Sequence, residues 1–192
     1  TPEEKEQYID TINRNSELLL KLINDILELS RIESGYMSFD CDDYPLDALI
    51  RDTYQTHKIL IPGQLHFLLE EGEKGLIVHV DKNRLLQVLT NFLNNASKST
   101  PAGSIKLDWS YMPHTEEVEV YVEDTGIGIP QSEQKMIFGR FYKQNEFAQG
   151  TGLGLSICKL IIEKLQGRLS LRSEAGTGSR FSIFFSCKKQ PI

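Results

Sequence analysis

The chain has 192 residues, 40% of them hydrophobic and 25% charged, and a net charge of −6. That composition suits one globular core plus an extension and excludes a disordered or fibrous chain. There is no basic run, so the sequence points away from nucleic acid and anionic membranes. Cys41, Cys158 and Cys187 lie far apart and form no C-x-x-C pair. They argue for reduced, cytoplasmic thiols and against a disulfide framework or zinc site. No apolar run approaches the ~18 residues of a membrane span, and no signal peptide opens the sequence. The segment is expected to be soluble and to make no membrane contact.

Residues 1–34 predict one long helix. Thr1-Pro2-Glu3-Glu4 supplies a cap, a proline at the first helical position and a Glu three residues after the cap. Ile9, Ile12, Leu19, Ile23 and Ile26 recur in steps of three and four, broken only at Ser16, and Leu18, Leu22 and Leu29 widen the stripe. So broad an apolar face needs partner helices. Ser34-Gly35 ends it. The alternating segment 36–44 predicts a strand, and Tyr44-Pro45-Leu46-Asp47 opens a helix to about residue 60, broken by Pro62-Gly63. Segments 66–70 and 76–80 predict strands joined by the acidic turn 70–75. Asp81 is the expected cap of a helix over 83–100, and the segment 100–103, Thr-Pro-Ala-Gly, stops it. Segments 104–112 and 117–125 alternate at period two and predict an antiparallel hairpin. Segments 168–173 and 179–187 predict a last hairpin, followed by a frayed tail over 188–192. The sum is an α/β fold: a two-layer sandwich of a mixed, largely antiparallel sheet of five or more strands with helices on one face, preceded by one long helix.

Two glycine-rich turns flank a segment of about 20 residues between them. The first, DTGIGIP, begins at Asp124 on the end of a predicted strand. The second, GTGLGL, covers Gly150, Thr151, Gly152, Leu153, Gly154 and Leu155 and runs into an apolar helical pattern over 152–166. Glycine lets a backbone approach a ligand closely, and a helix beginning at such a turn aims free N–H groups at an anion. A nucleotide pocket is the expectation, with Asp124 at the base, the second turn at the phosphates and 131–149 as a lid that starts with a short helical piece. Upstream, Asn91 and Asn95 share a helix face with Lys98 close by. Amide oxygens suit Mg²⁺ beside triphosphate oxygens.

The order N-x-x-x-N-A-x-K, D-x-G-x-G-I-P, I-F-x-R-F-Y-K and G-T-G-L-G-L resembles the catalytic ATP-binding domain of sensor histidine kinases. These belong to the superfamily of gyrase, chaperone and mismatch-repair ATPases. The resemblance implies ATP and Mg²⁺ as cofactors, with Asn95 as the Mg²⁺ ligand and Asp124 as the adenine reader. An ionised carboxylate only accepts hydrogen bonds, so it fits the adenine amino group and rejects the guanine carbonyl. Gly126, Gly128 and Ile129 would lie against the base, and residues 150–155 and Lys98 against the phosphates. Asn91, Arg140 and Lys143 would act at the γ-phosphate, Arg140 ahead of Lys143, while Phe138, Phe141 and Tyr142 anchor the lid. Hydrolytic relatives carry a Glu where Asn91 stands, so no carboxylate is in place to activate water and transfer to a separate acceptor is favoured. Ser99 departs from the usual aromatic, and Gly139 from a common acid.

Residues 1–35 resemble the second helix of a dimerisation hairpin, and 36–192 the catalytic domain. The first hairpin helix would carry the phosphoacceptor histidine. His57, His66, His79 and His114 all lie downstream and none precedes an acid, so the chain reads as part of a larger kinase. The implied partners are a second copy and a response regulator, and not nucleic acid. The implied place is the cytoplasmic portion of a parent anchored in the inner membrane. A hydrolytic ATPase and a non-catalytic dimerisation scaffold are the alternatives.

Overall fold

A computed structural model describes residues 1–70, 72–143 and 150–189, apart from the side chains of 2–4. Helix α1 covers Pro2–Glu33. There follow β1 (Asp42–Pro45), α2 (Leu46–Lys58), β2 (Leu65–Leu69), β3 (Leu76–Val80) and α3 (Lys82–Ser99). After these come β4 (Gly103–Met112), β5 (Glu117–Asp124), α4 (Gly154–Lys164), β6 (Arg168–Glu174) and β7 (Gly178–Lys189). Seven strands form one mixed sheet, with the path β1-β3-β7-β5-β4-β2 and β6 also paired to β7. Only the β2–β4 pair is parallel among the described strands. The expected fold class and both hairpins, β4–β5 and β6–β7, are present.

The core follows from alternation on the strands and helical spacing on α2, α3 and α4. Val118, Val120 and Val122 of β5 and Phe181, Ile183 and Phe185 of β7 point to one face. They meet Leu85, Val88, Leu89, Phe92 and Leu93 of α3 and Ile157, Ile161 and Ile162 of α4. Phe92 stacks on Phe181 with ring centroids 5.2 Å apart.

Three expectations are corrected in detail. The strand expected over 36–44 pairs only at 42–45, against β3. Met37, Phe39 and Cys41 do alternate inward, half-buried against the core, but the backbone there is irregular and the Asp40 N–H donates to the Asp81 carboxylate at 3.0 Å. Strands β2 and β3 follow one another as expected, but they do not pair: β2 ends the sheet path and β3 lies next to β1 toward the other end; Glu71 of the acidic turn lies outside the described residues. The short helical piece expected after DTGIGIP is a run of turns over 131–139. The tail expected to fray from 188 remains in β7 through Lys189, and 190–192 lie outside the described residues.

Helix α1 divides along its length. Leu29 and Ile32 are buried in the common core, while Ile9, Ile12, Leu19, Leu20, Ile23 and Leu27 are exposed. Its last turns therefore dock on the domain and its apolar stripe does not.

Candidate nucleotide site

Asp81 starts the element that carries much of the site. Its side chain accepts the N–H groups of Asn83 and Arg84 at 3.0 and 3.1 Å, capping α3. With one face of α3 buried on the sheet, Asn91, Asn95 and Lys98 face a cavity of about 400 Å³. Asn95 Nδ2 donates to Asn91 Oδ1 at 3.1 Å. That bond turns the Asn95 oxygen away from Asn91, as a neutral hard ligand requires. The Ser99 hydroxyl bonds back to the Asn95 carbonyl at 2.9 Å, so it lines the cavity without filling it.

Strand β5 delivers Asp124 between Ile105 of β4 and Ser179 of β7. The residue is 4% exposed. Its Oδ1 accepts the Gly126 N–H at 2.9 Å, a turn that starts the DTGIG loop. The Ile127 N–H then reaches the Ser99 carbonyl at 3.0 Å, tying the loop to the end of α3. Burial raises the Asp124 carboxyl above its ordinary range, although the N–H groups of Gly126 and Ser179 oppose the shift. The Thr100 hydroxyl, buried beside the carboxylate, opposes the shift as well.

On the far side, Gly150, Thr151, Gly152, Gly154 and Leu155 line the cavity. Gly152 has φ of +73°, and a Cβ there would lie 2.7 Å from the Phe141 carbonyl carbon. Only glycine takes that turn without strain. Helix α4 then begins at Gly154, packed against the Asn91 amide. Its first N–H groups have no side-chain cap, which leaves a positive helix end on the cavity.

The remaining expected residues divide. Gly128, Ile129 and Lys143 line the cavity. Asp124 and Gly126 stand behind its wall, and Leu153 is fully buried. Arg140 is outside the lining and pairs with Glu33 of α1. Of the lid aromatics, Phe138 lies edge-on to Phe181 and Tyr142 lines the cavity, whereas Phe141 is 59% exposed. The rest of the expected lid, 144–149, lies outside the described residues. None of the four histidines lines the cavity. His57 is buried with Nδ1 bonded to the Thr53 carbonyl at 2.9 Å, and His79 pairs with Asp43 on the surface.

Sequence reasoning did not find Lys21, Ile137, Ser179 or Phe181 in the lining. Ser179 and Phe181 enter from β7 and Ile137 from the run of turns after the first glycine loop, brought there by tertiary packing. Lys21 belongs to α1, where nothing but its place beside an apolar stripe distinguishes it. Three lysines, Lys21, Lys98 and Lys143, and no carboxylate stand in the described lining. Neutral amides, cations and a helix N-terminus make this an anion seat.

This fold and this seat define a nucleotide-binding domain, and the family match agrees. Residues 80–189 match the model for the histidine kinase-, DNA gyrase B-, and HSP90-like ATPases, and the chain belongs to that family. Residues 1–35 match the His Kinase A (phospho-acceptor) domain. Together the two matches make the chain a sensor histidine kinase catalytic domain with part of a phosphoacceptor domain ahead of it. The chain is 35% identical over 193 residues to the sensor histidine kinase RcsC of Salmonella typhimurium, covering 95% of this chain and 20% of RcsC. It thus spans about a fifth of that relative's length. Full-length ShkA, solved with AMPPNP, covers 98% of this chain and 40% of its own at 24% identity and a TM-score of 0.83, a likeness of fold. ThkA, solved with the response regulator protein TrrA, covers 96% of this chain and 52% of its own at 27% identity and a TM-score of 0.75.

Proposed function

We propose that the cavity binds Mg·ATP and that the parent protein passes the γ-phosphoryl group to a histidine on its dimerisation hairpin, for onward transfer to a response regulator aspartate. One observation carries this reading. The phosphate side is built from Asn91, Asn95, lysines and the start of α4, with no carboxylate in the described lining to activate water.

Asp124 reads the base. Its carboxylate accepts the adenine amino group, directly or through water, and Gly128 and Ile129 lie close to the ring. Glycines 150, 152 and 154 let the backbone meet the phosphates, whose charge the end of α4 stabilises. Lys98 and Lys143 hold phosphate oxygens and stabilise charge as the terminal group leaves. Asn95 presents its side-chain oxygen to Mg²⁺, which when bound neutralises phosphate charge and orients the chain for in-line transfer. Asn91 sits where a water-activating Glu would otherwise be and contributes no base. The residue set fits this cofactor. Neutral oxygen ligands plus phosphates suit Mg²⁺, and the described residues hold no cluster of three His, Cys, Asp or Glu for another metal.

Residues 1–35 form half of the phosphoacceptor hairpin, 36–192 the catalytic domain. The exposed stripe of α1 pairs with the other hairpin helix and with a second copy. No helix among the described residues is long and apolar enough to cross a membrane. We place this part in the cytoplasm, in a parent anchored in the inner membrane.

The test supplies a separate two-helix hairpin carrying the acceptor histidine, in trans, with γ-labelled ATP. Acid-labile label on the hairpin, with little free phosphate, is expected. Rapid phosphate release that depends on Asn91, with no labelled hairpin, would favour a hydrolytic ATPase. Folded protein with neither activity would favour a scaffold.

A further inference from the structure

We propose that Lys21, on the helix that leads into the domain, is a ligand for the outermost phosphate of the nucleotide, so that the docked helix completes the site. The inference rests on the nucleotide reading of the cavity. It begins with how α1 is held. The Thr151 hydroxyl donates to Asp25 at 2.5 Å. Glu28 accepts from Arg84 at 2.7 Å and from Gln87 at 2.8 Å. Leu29 and Ile32 insert into the core. These residues recur at helical spacing and fix one face of α1 against α3 and the glycine turn.

Lys21 is four residues before Asp25, one turn up the same face, and it lines the cavity. Asp25 touches Thr151 of the glycine turn, so Lys21 enters beside the turn that the nucleotide reading gives to the phosphates. Lys98 feels it: burial, and after it the Lys21 charge, lowers the proton affinity of Lys98. Two ammonium groups directed at one cavity repel. An anion between them converts that repulsion into two attractions, and a terminal phosphate carries the charge and the acceptor oxygens to do so. The Lys21 side chain is exposed on its helix, so replacing it leaves the core packing intact. In the parent, this contact would make the grip on the triphosphate depend on where the dimerisation helix sits.

Calorimetry with a Mg-bound non-hydrolysable ATP analogue and with Mg·ADP tests the assignment, using the wild type, Lys21→Met, Lys21→Arg and Asp124→Asn. Lys21→Met is expected to weaken analogue binding about tenfold while ADP binding stays within about twofold, the scale of one charge-assisted hydrogen bond. Lys21→Arg restores most of the loss. Unchanged analogue binding in Lys21→Met overturns the proposal and leaves the nucleotide reading standing, provided Asp124→Asn loses both ligands. An equal loss for analogue and ADP, without rescue by Arg, assigns Lys21 to helix docking and also overturns it. Folded wild type that binds neither ligand overturns the nucleotide reading and this proposal together.

Discussion

Gly154→Ala separates binding from stability. Gly154 is the first residue of α4, and its φ is outside the left-handed region, so alanine meets no backbone strain there. Alanine in place of glycine favours a helix by about 1 kcal/mol. Against that, the new methyl would collide with the Asn91 amide, whose Oδ1 lies 3.0 Å and Cγ 3.1 Å from the added atom. The amide must turn, breaking its bond from Asn95 and losing roughly 1 kcal/mol. The two effects offset, and the unliganded protein keeps its melting temperature to within a few degrees. On the proposed reading the displaced amides face the phosphates, and a tenfold weaker affinity is expected. At a ligand concentration about 100 times the wild-type Kd, wild type gains about 2.7 kcal/mol and the variant about 1.4 kcal/mol. For a chain of this size that difference is roughly 3–5 °C of ligand-induced shift. Thermal unfolding with and without Mg·ATP analogue reads both. An unchanged ligand shift, or a large drop in the unliganded protein, would refute the reasoning.

Three further outcomes follow from the same geometry. Burial raises the Asp124 pKa above its unfolded value of 3.8, so the native state holds that proton more tightly than the unfolded chain. The stability it contributes is full below pH 3.8 and is lost as pH rises through the folded pKa. Asp124→Asn is therefore expected to make the unliganded protein more stable at pH 7, by a margin that shrinks toward acid; lower stability at pH 7 would contradict this. Lys143→Ala is expected to weaken binding of Mg·ATP analogue several-fold, while Arg140→Ala, paired to Glu33 outside the cavity, leaves it within about twofold; titration calorimetry of both variants distinguishes them. Ile32→Ala, at a position 1% exposed, removes about 2–5 kcal/mol from the seam between α1 and the domain. Hydrogen exchange should quicken in the last turns of α1 and stay slow in β5 and β7; uniform quickening would mean that the helix and sheet unfold as one unit.

The parts of this molecule that were legible in its sequence are those set by local chemistry. Asp81 before the α3 pattern, the glycines at the start of α4 and the period-two alternation of β4 and β5 each determine an element without reference to distant residues. The four boxes, in order, located most of the cavity. What was not legible depends on registration between distant elements. Residues 37–41 alternate like a strand because Met37, Phe39 and Cys41 pack inward, yet no neighbouring strand pairs with them and Asp81 takes the Asp40 N–H. Succession along the chain sets β2 beside β3 in order and does not show that β2 ends the sheet path while β3 lies next to β1 toward the far end. The bonds of Asp25 to Thr151 and Glu28 to Arg84 span 126 and 56 residues. Periodicity says which face of α1 is apolar and does not say which polar residues beside that face meet the glycine turn. Lys21 was hidden for that reason, and so was the pairing of Arg140 with Glu33, which keeps that arginine out of the cavity.

The central claim is that a buried carboxylate at the end of β5 makes this cavity an adenine nucleotide site. Titration calorimetry of Mg·ADP and Mg·GDP, on the wild type and on Asp124→Asn, tests it most directly. ADP is expected to bind at least roughly tenfold more tightly than GDP, since guanine would leave two acceptors facing each other, and Asp124→Asn should abolish that preference. Equal binding of the two nucleotides by the wild type, or undiminished ADP selectivity in Asp124→Asn, would contradict the account.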